Sequence, residues 1–478
     1  MTLITSQTLH DLALCGRRAW LNARAPAPAG DAPLMLGVVW ERGAESAVDS
    51  REVASWADAV ALTERWMALG AVSILNACLE VQTPLDLTDR TFTIRAQIDR
   101  LDRIAYLGGA AYAPVLVREH TTPGEAESLV LDLWVWMLDT LAGAPPPAEL
   151  WLGADAWGRA RRRVVHHYDE NRVLDALTRA AALLPADDAP PVHLIDACKT
   201  CPHRGPCETL ARQEGALDLL YGVSQRVREG LRAAGLRSLA DIAAAAPDDL
   251  LRVKGIGSRT APAIQANARA WLNARPVHKA PPPEVCATGG WMFDLETLER
   301  NGRVVPWCMG WCDPDGGAQI ALVAPVQTPE ALLLPDGQQV ILAPDSDAAW
   351  EVFAESVAGD APIFHWTGYD AAILRGTAPA AVQSAVAPRF EDLHRHFTRA
   401  VSLPLRSTSI KAISTYLGYP WPGYNEWFAA YLDYRAWLDS GQVDALARAC
   451  MYQRADVQSM AWVWRWWIAE HRAARGSA

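Results

Sequence analysis

The stretch 291–297 reads Trp-Met-Phe-Asp-Leu-Glu-Thr and carries two carboxylates on alternate residues. Because successive side chains of a strand point to opposite faces, Asp294 and Glu296 share one face, while Phe293 and Leu295 share the other. Two like charges on one face of an apolar strand repel, and burying them is costly unless a cation lies between them. The pattern therefore indicates either a divalent-metal site or a strand end whose acids face water.

Two later segments contribute acids of the same kind. Residues 363–370 form an apolar run that breaks at Gly368, so Asp370 comes at the start of a predicted helix. Tyr452 and Asp456 lie in a long helical stretch, where a spacing of four residues places both on one face. Each segment alone is typical of a protein surface, but their combination and order along the chain are distinctive.

In the order D-x-E, xxxYD and YxxxD, these motifs resemble the DEDDy group of RNase H-like 3′-5′ exonucleases. The resemblance runs from Cys286 to the end of the sequence. It implies that two Mg²⁺ or Mn²⁺ ions are bound by four carboxylates, those of Asp294, Glu296, Asp370 and Asp456. It also implies that Tyr452 orients the attacking water. Two such ions can generate hydroxide and stabilise the leaving 3′ oxygen, and hard cations prefer oxygen ligands.

Other positions near these motifs bear on the same resemblance. His365 stands where many relatives have Asn, and Met451 replaces the histidine of the sister DEDDh group. Residues 407–417 suggest a capped helix whose Lys411 faces phosphate, so Lys411 and His365 are expected to contact nucleic acid. Asp392 is expected to cap a helix rather than to add a carboxylate to the site.

The cysteines form a second pattern: Cys15 is followed far downstream by Cys198-x2-Cys201-x5-Cys207. This spacing admits a structural zinc, and unrelated buried thiols are the alternative. A lone early cysteine followed by a late C-x2-C-x5-C resembles the iron–sulfur nucleases of the RecB and AddB kind. The resemblance implies that the four thiolates hold a four-iron four-sulfur cluster that ties together the two ends of the domain.

The segment between these cysteines resembles the PD-(D/E)XK fold. Residues 93–101 look like the strand that carries the first metal-binding acid, here Asp99. The next strand should carry Glu-x-Lys, but Leu116 and Arg118 occupy those places, and Trp40 stands where relatives have a histidine. Leucine cannot ligate a metal, and arginine cannot act as a titratable partner. We therefore expect an inactive, degenerate nuclease domain kept as a scaffold or strand-binding module.

The middle of the chain turns helical, and Lys254-Gly255-Ile256-Gly257 predicts a tight turn into the next helix. Gly-Ile-Gly between short helices resembles a helix-hairpin-helix, whose glycines let backbone N–H groups approach a phosphate. Lys254 and Arg259 flank this turn. Between 221 and 275, nine Lys and Arg against four Asp and Glu give a net charge of +5. We expect contact with the nucleic-acid backbone rather than with bases, and packing against protein is the alternative.

The fold class predicted for these 478 residues is α/β and multidomain. The predicted domains are a PD-(D/E)XK-like α/β domain with an iron–sulfur staple (1–217), an all-α helix-hairpin-helix (218–275), a proline-rich linker (276–285) and an RNase H-like α/β domain (286–478). The net charge of −11 argues against a general coat for nucleic acid, so binding should be local and partly metal-bridged. Nine unevenly spaced cysteines and the lack of a long apolar run predict a cytoplasmic protein without a membrane partner.

The whole arrangement resembles a bacterial group of RecB-like nucleases with a helix-hairpin-helix and a YprB-type RNase H-like exonuclease domain. The resemblance implies a metal-dependent 3′-5′ exonuclease acting on single-stranded ends, of DNA more than of RNA. It also implies DNA repair or processing, with a helicase or repair protein as a candidate partner. Two alternatives stay open: a catalytically inactive scaffold that binds nucleic acid, and a nuclease that acts through its N-terminal domain.

Overall fold

The computed structural model describes residues 2–24, 47–49, 53, 55–84, 90–106, 109–118, 122–153, 162–300, 303–423 and 427–476. The chain divides into two compact units, Met1–Leu210 and Ala211–Ala478. Trp40, which the sequence places at a position occupied by histidine in similar nucleases, lies outside the described residues. Within the described ranges, no helix is both long and apolar enough to span a bilayer.

The first unit is built on one mixed sheet. Its strands are β1 (Thr2–Thr5), β2 (Ala47–Asp49), β3 (Ser73–Pro84), β4 (Thr91–Tyr106), β5 (Gly109–Arg118), β6 (Ala148–Leu152) and β7 (Arg162–His166). They pair in the order β2-β3-β4-β5-β6-β7, and β1 runs parallel to the start of β4. The helices are α1 (Ser6–Leu14), α2 (Gly16–Arg24), α3 (Trp56–Ala68), α4 (Glu125–Ala142), α5 (Glu170–Leu183) and α6 (Arg204–Gln213), and a 3₁₀ turn spans Asp196–Thr200.

Helix α4 forms the centre of this unit's core. It is apolar on nearly all sides, as expected of a helix buried by its neighbours, and it packs against α1 and α5. Trp134 is 1% exposed, and its indole N–H donates to Ser6 Oγ at 2.8 Å. The fully buried Asp132 is paired with His166 and Arg172, so this acid is neutralised inside the unit.

The second unit begins with short helices. They are α7 (Gln225–Ala233), α8 (Leu239–Ala244), α9 (Pro247–Leu251) and α10 (Thr260–Asn273), preceded by a 3₁₀ turn at Leu217–Leu219. Ser224 and Ser238 cap α7 and α8 by accepting backbone N–H groups, and Pro247 stands at the first position of α9, where its missing N–H costs nothing. The turn between α9 and α10 requires glycine, because φ at Gly255 is +98°.

The proline-rich segment after α10 is partly ordered as a strand. Strand β8 (Val277–His278) pairs antiparallel with β16 (Val401–Ser402), and Lys279 N donates to Ala400 O at 2.7 Å. Proline lacks an N–H, but the residues ahead of Pro281 keep theirs and satisfy them in this pairing. The sequence predicts a proline-rich linker here, and part of this segment is hydrogen-bonded to the C-terminal domain.

A second mixed sheet follows. Its strands are β9 (Trp291–Arg300), β10 (Arg303–Cys312), β11 (Ala318–Val323), β12 (Glu330–Leu333), β13 (Gln339–Ala343), β14 (Ile363–His365) and β15 (Phe390–Asp392), in the order β12-β13-β11-β10-β9-β14-β15. Around them lie α11 (Glu284–Ala287), α12 (Ser346–Ser356), α13 (Gly368–Thr377), α14 (Ala380–Val386), α15 (Leu393–Ala400), α16 (Ile410–Tyr416), α17 (Trp427–Ser440), α18 (Val443–Gly476) and a 3₁₀ turn at Ala387–Arg389. Asp392 caps α15, as the sequence predicts.

Strand β9 separates the two halves of this domain's core. Phe293 and Leu295 pack on one side with the aromatic residues of α12, including Trp350 and Phe353. Met292 packs on the other side, in the cluster that contains residues of α16 and α18. The alternation predicted from the sequence is therefore confirmed. Asp294 and Glu296 point toward α18, away from the Phe293 side.

Candidate active site

Three of the predicted acids converge where β9 faces α18. Asp294 and Glu296 come from alternate positions of β9, and Asp456 comes from α18. Carboxylate oxygens of these three side chains all lie within 4.8 Å of one another. Asp294 and Glu296 are half-buried, and Asp456 is 5% exposed. A strand and a helix that are distant in sequence thus form one acidic cluster.

The fourth predicted acid, Asp370, lies beside this cluster without joining the group of three. It occupies the first turn of α13, which begins where β14 ends and is capped by Thr367. The backbone of Asp370 itself and that of Leu295 and Thr367 favour its charged form and oppose the rise in its pKa that burial causes. The charge of Asp370 acts on both Asp294 and Glu296, so Asp370 lies near the two acids of β9.

Tyr452 lies directly over two of the acids. Its hydroxyl favours the charged forms of Glu296 and Asp456, and it can donate its single proton to one of these carboxylates at a time. Lys411 Nζ donates to the same hydroxyl at 3.1 Å. The Lys411 ammonium also lies 4.6 Å from the centre of the Tyr452 ring. Burial, followed by the charge of Asp456, raises the pKa of Tyr452, so the phenol keeps its proton. The structure brings Lys411 to the acidic cluster.

Sequence reasoning missed one polar residue of the site. Gln453 is 1% exposed, and its Nε2 donates to Asp294 at two atoms, the backbone oxygen at 2.9 Å and Oδ2 at 3.0 Å. Gly310 lies opposite Asp294 in the pairing of β9 with β10. A Cβ at position 310 would lie 2.8 Å from Gln453 Cγ. The available signal was a glutamine between Tyr452 and Asp456 on a buried helical face.

Without a bound cation, the ionised form of this acidic cluster is unfavourable, and the pKa values of its carboxyl groups are raised. Burial is the main cause that raises the pKa of Asp294, followed by repulsion from Asp370, Asp456 and Glu296. Burial and the charge of Asp456 raise the pKa of Glu296 to about 8. Burial raises the pKa of Asp370 to about 7 and that of Asp456 to about 6, the latter against the favourable charge of Lys411.

The carboxylate oxygens of the site suit a hard divalent ion. Asp456 Oδ1 is buried and accepts no hydrogen bond within the described part of the chain. A buried carboxylate oxygen without a donor is costly, and a cation would remove that cost. The group of three offers oxygens and no sulfur or nitrogen, which is the ligand chemistry of Mg²⁺ and Mn²⁺. Asp294, Glu296 and Asp456, with Asp370 beside them, could hold such ions.

His365 has a different environment from that of an exposed contact residue. It is 4% exposed, stacks on Phe390 with ring centroids 5.6 Å apart, and uses Nδ1 to bond the Thr367 carbonyl oxygen. Burial lowers its pKa, so the ring is neutral at physiological pH. These contacts stabilise the turn that leads from β14 to Asp370. A contact of His365 with nucleic acid stays a prediction.

The tight turn ahead of α10 is exposed, including Lys254, Gly255, Gly257 and Arg259. Gly257 N donates to Thr260 Oγ1 at 2.8 Å, which removes that amide from any phosphate contact. Among the described residues, no acceptor faces the amides of Ser258 and Arg259. These are the backbone donors left at the start of α10.

A cavity of about 300 Å³ separates this turn from the segment ahead of α16. Gly255 and Thr260 line one side, and Ser407 and Thr408 line another. Asn267 of α10, which also lines the cavity, is hydrogen-bonded to residues on either side of it in sequence. Its Nδ2 donates to Leu403 O at 2.8 Å, and its Oδ1 accepts from Tyr221 N at 3.0 Å. The turn and the helix that carries Lys411 therefore border the same cavity.

In the first unit, the four cysteines of the predicted metal site border a common cavity. Cys15, Cys198, Cys201 and Cys207 line one small cavity together with Arg17 and Arg18. Burial raises the pKa of Cys207, partly offset by the Arg17 guanidinium. Helix α2 is hydrogen-bonded to the later part of this unit. His203 Nε2 lies 2.6 Å from Asn22 Oδ1, and Trp20 Nε1 donates to Ala186 O at 2.9 Å.

The acid of the N-terminal nuclease motif is engaged by protein groups. Asp99 is 3% exposed, and its Oδ2 accepts Val117 N at 2.8 Å and Arg118 Nη1 at 3.1 Å. Leu116 is fully buried in the core of the unit. Burial raises the pKa of Asp99, and the charge of Arg118 opposes this rise. A guanidinium thus binds the carboxylate that a metal would need.

Comparisons with known proteins address parts of the chain. Residues 335–468 match the RNase H superfamily. The matched range contains Asp370, Tyr452 and Asp456, whereas Asp294 and Glu296 precede it. Residues 216–270 match the SAM-like helix-hairpin-helix tandem. An RNase H-like domain combined with a helix-hairpin-helix indicates a nuclease that processes nucleic acid.

Other comparisons add little. A solved structure described as "Crystal structure of SSO0001" is 13% identical, covers 44% of this chain and 86% of that chain, and has a TM-score of 0.24. A likeness at that score carries no argument about this chain. None of the curated proteins matches the chain significantly.

Proposed function

We propose that this protein is a metal-dependent 3′-5′ exonuclease that acts on single-stranded nucleic acid, on DNA more than on RNA. One observation carries the proposal: carboxylate oxygens from β9 and α18 lie within 4.8 Å of one another, and the protonated Tyr452 hydroxyl interacts with Glu296 and Asp456. Such a cluster is costly in a protein without a cation. The three acids of the cluster, Tyr452 and the neighbouring Asp370 follow one another along the chain in the D-x-E, YD and YxxxD order of the DEDDy exonucleases.

Each side chain has a distinct role in this proposal. Asp294, Glu296, Asp370 and Asp456 would hold two Mg²⁺ or Mn²⁺ ions, which supply hydroxide at neutral pH and stabilise the leaving 3′ oxygen. Tyr452 keeps its proton, and its hydroxyl orients the attacking water. Lys411 holds that hydroxyl in place and adds positive charge where the scissile phosphate would lie.

The helix-hairpin-helix would hold the strand by its backbone. Lys254 and Arg259 are exposed beside the turn, and the amides of Ser258 and Arg259 are available at the start of α10. Contacts of this kind do not distinguish bases, so the module would supply affinity without sequence preference. A role in DNA repair or processing, together with a helicase or repair partner, belongs to the same proposal.

Removing the positive charge of Lys254 or Arg259 should weaken strand binding in a salt-dependent way. Lys254→Ala or Arg259→Ala is expected to lower affinity for single-stranded DNA several-fold and to reduce the salt slope by about 0.7, because about one phosphate contact is lost. Fluorescence anisotropy at several salt concentrations measures both quantities. Arg252→Ala is the matched control, since Arg252 pairs with Asp249 at 3.1 Å. If all variants have the same salt slope as the wild type, the helix-hairpin-helix does not contact the strand.

The first unit would act as a cluster-stapled scaffold. The four cysteines would hold a four-iron four-sulfur cluster, with Zn²⁺ as the alternative. The ion pair of Arg118 with Asp99 would keep the nuclease centre of this unit inactive. Cys201→Ser is expected to remove the metal and to destabilise this unit, because a structural metal site contributes directly to folding. Anaerobic purification followed by metal analysis and absorbance near 400 nm distinguishes iron from zinc. Cys78→Ser, at a buried thiol elsewhere in the unit, should leave the metal content unchanged.

End-labelled DNA and RNA strands with Mn²⁺ test the proposal and its alternatives together. Wild-type protein should shorten single strands from the 3′ end, and Asp456→Ala should stop this shortening. Loss of cutting in Asp99→Ala, with Asp456→Ala still active, would assign the activity to the N-terminal unit. Binding of strands without cutting by any form would favour the scaffold.

A further inference from the structure

The Gln453 side chain is committed to a single neighbouring residue. Its Nε2 donates to both Asp294 O and Asp294 Oδ2, at 2.9 Å and 3.0 Å. Two bonds from one nitrogen to the main chain and side chain of the same residue restrict the side-chain torsions of that residue. Because Oδ2 is engaged, the other carboxylate oxygen, Oδ1, is the one left to face a cation.

The opposite strand is adapted to this contact. Gly310 is the residue paired with Asp294, and the three atoms nearest to a Cβ built there all belong to Gln453, at 2.8 Å, 3.0 Å and 3.3 Å. Any larger residue at position 310 would therefore displace the glutamine. Meanwhile Gln453 Oε1 is buried and has no hydrogen-bond donor among the described residues. An unsatisfied buried acceptor is unfavourable for stability, so general packing is a poor reason for this glutamine.

We propose that Gln453 is a positioning residue of the metal centre, which fixes the orientation of the Asp294 carboxylate, and that Gly310 makes room for it. The inference rests on the proposed function, since it assigns Asp294 to a metal. Residues that orient metal ligands through a hydrogen bond affect metal affinity or activity by about 10–100-fold when removed. In this role Gln453 acts through Asp294, to which both of its hydrogen bonds go.

Mn²⁺ affinity, measured from the electron paramagnetic resonance signal of free Mn²⁺, tests this role without any substrate. Gln453→Leu is expected to weaken Mn²⁺ binding by about 10–100-fold. Gln458→Leu is the matched control, because Gln458 lies on the same helix and donates Nε2 to Gly316 O at 2.8 Å. In the cleavage assay, Gln453→Leu should lower kcat at fixed Mn²⁺ and leave KM for the strand unchanged.

Gly310→Ala provides a second, milder variant in which Gln453 itself is intact. It should weaken Mn²⁺ binding in the same direction, because the new methyl group displaces the glutamine. In a Gln453→Ala background, the change at position 310 should add no further weakening, since the clash is gone. If Gln453→Leu does not fold, the Gly310→Ala comparison decides the question.

The outcomes separate this inference from the function on which it rests. Wild-type protein whose Mn²⁺ binding does not respond to Asp294→Ala would overturn both. Wild-type protein that binds Mn²⁺ through Asp294, with Gln453→Leu and Gly310→Ala binding as tightly as Gln458→Leu, would overturn the role of Gln453 and leave the proposed function standing. A lower melting temperature with unchanged Mn²⁺ affinity would likewise reduce Gln453 to a packing residue.

Discussion

Asp294→Asn is expected to abolish strand cleavage and, at the same time, to stabilise the metal-free protein. Loss of the ligand should lower kcat on the order of 10²–10³-fold or more, the scale for removing one electrostatic stabiliser of a transition state. Without metal, the Asp294 carboxylate is destabilised by burial and by three neighbouring acids. Asparagine has nearly the same shape, carries no charge, and can still accept the hydrogen bond from Gln453 through Oδ1.

Thermal unfolding in EDTA at about pH 8 measures the stability effect. Each kcal/mol gained should raise Tm by roughly 2–4 °C for a unit of this size. Asp315→Asn is the control, because Asp315 lies in the exposed turn between β10 and β11. A variant that keeps its cleavage rate, or an Asp294→Asn protein that melts below wild type in EDTA, would contradict the assignment of Asp294 to a cation site.

The second large effect is a pH dependence with opposite signs for stability and metal affinity. Burial raises the pKa of Glu296 to about 8, of Asp370 to about 7 and of Asp456 to about 6, and the charge of Asp456 adds to the rise at Glu296 and Asp370. Between the ordinary carboxyl pKa of about 4 and these values, the unfolded chain is ionised while the folded site still holds protons. The folded state therefore binds more protons, and the stability of the metal-free protein falls as pH rises through this window.

Metal binding requires the ionised acids, so it releases protons, and Mn²⁺ affinity should rise over the same pH range. Melting curves in EDTA and in Mn²⁺ across about pH 5–8.5 measure both trends, and the Tm increase caused by Mn²⁺ should be largest at the alkaline end. Asp456→Asn should flatten both profiles. If the metal-free protein instead became more stable from pH 6 to pH 8, the folded state would not favour the protonated form of these carboxyl groups.

Much of the site follows from local patterns in the sequence. The alternation in 291–297 is sufficient to place Phe293 and Leu295 in the core and the two acids on the other face. The glycine at 368 marks the end of β14, so that Asp370 falls in the first turn of α13. The spacing of Tyr452 and Asp456 fixes their common face on α18. Periodicity carries these predictions because each depends on one element alone.

What the sequence did not reveal depends on how elements pair. Gln453 is recognisable as a partner of Asp294 only when β10 is aligned with β9, which puts Gly310 opposite that acid. The pairing of β8 with β16 joins residues far apart in sequence, and no local pattern announces it. Lys411 was expected to contact phosphate, but its bond to the Tyr452 hydroxyl comes from the packing of α16 on α18.

The N-terminal unit shows the same division. The substitutions at positions 116 and 118 predict from residue chemistry alone that a metal cannot be held there as in active nucleases. Only the structure shows that Arg118 bonds the Asp99 carboxylate itself, at 3.1 Å. The cysteine spacing predicts a shared site, and all four cysteines line one cavity.

The proposed function requires that four acids from β9, α13 and α18 together hold two divalent ions. Diffraction from crystals soaked in Mn²⁺, recorded at the manganese absorption edge, tests it most directly. We expect two anomalous peaks about 3.5–4 Å apart, bounded by Asp294, Glu296, Asp370 and Asp456. The absence of any peak between these side chains, or peaks that only surface acids ligate, would contradict it.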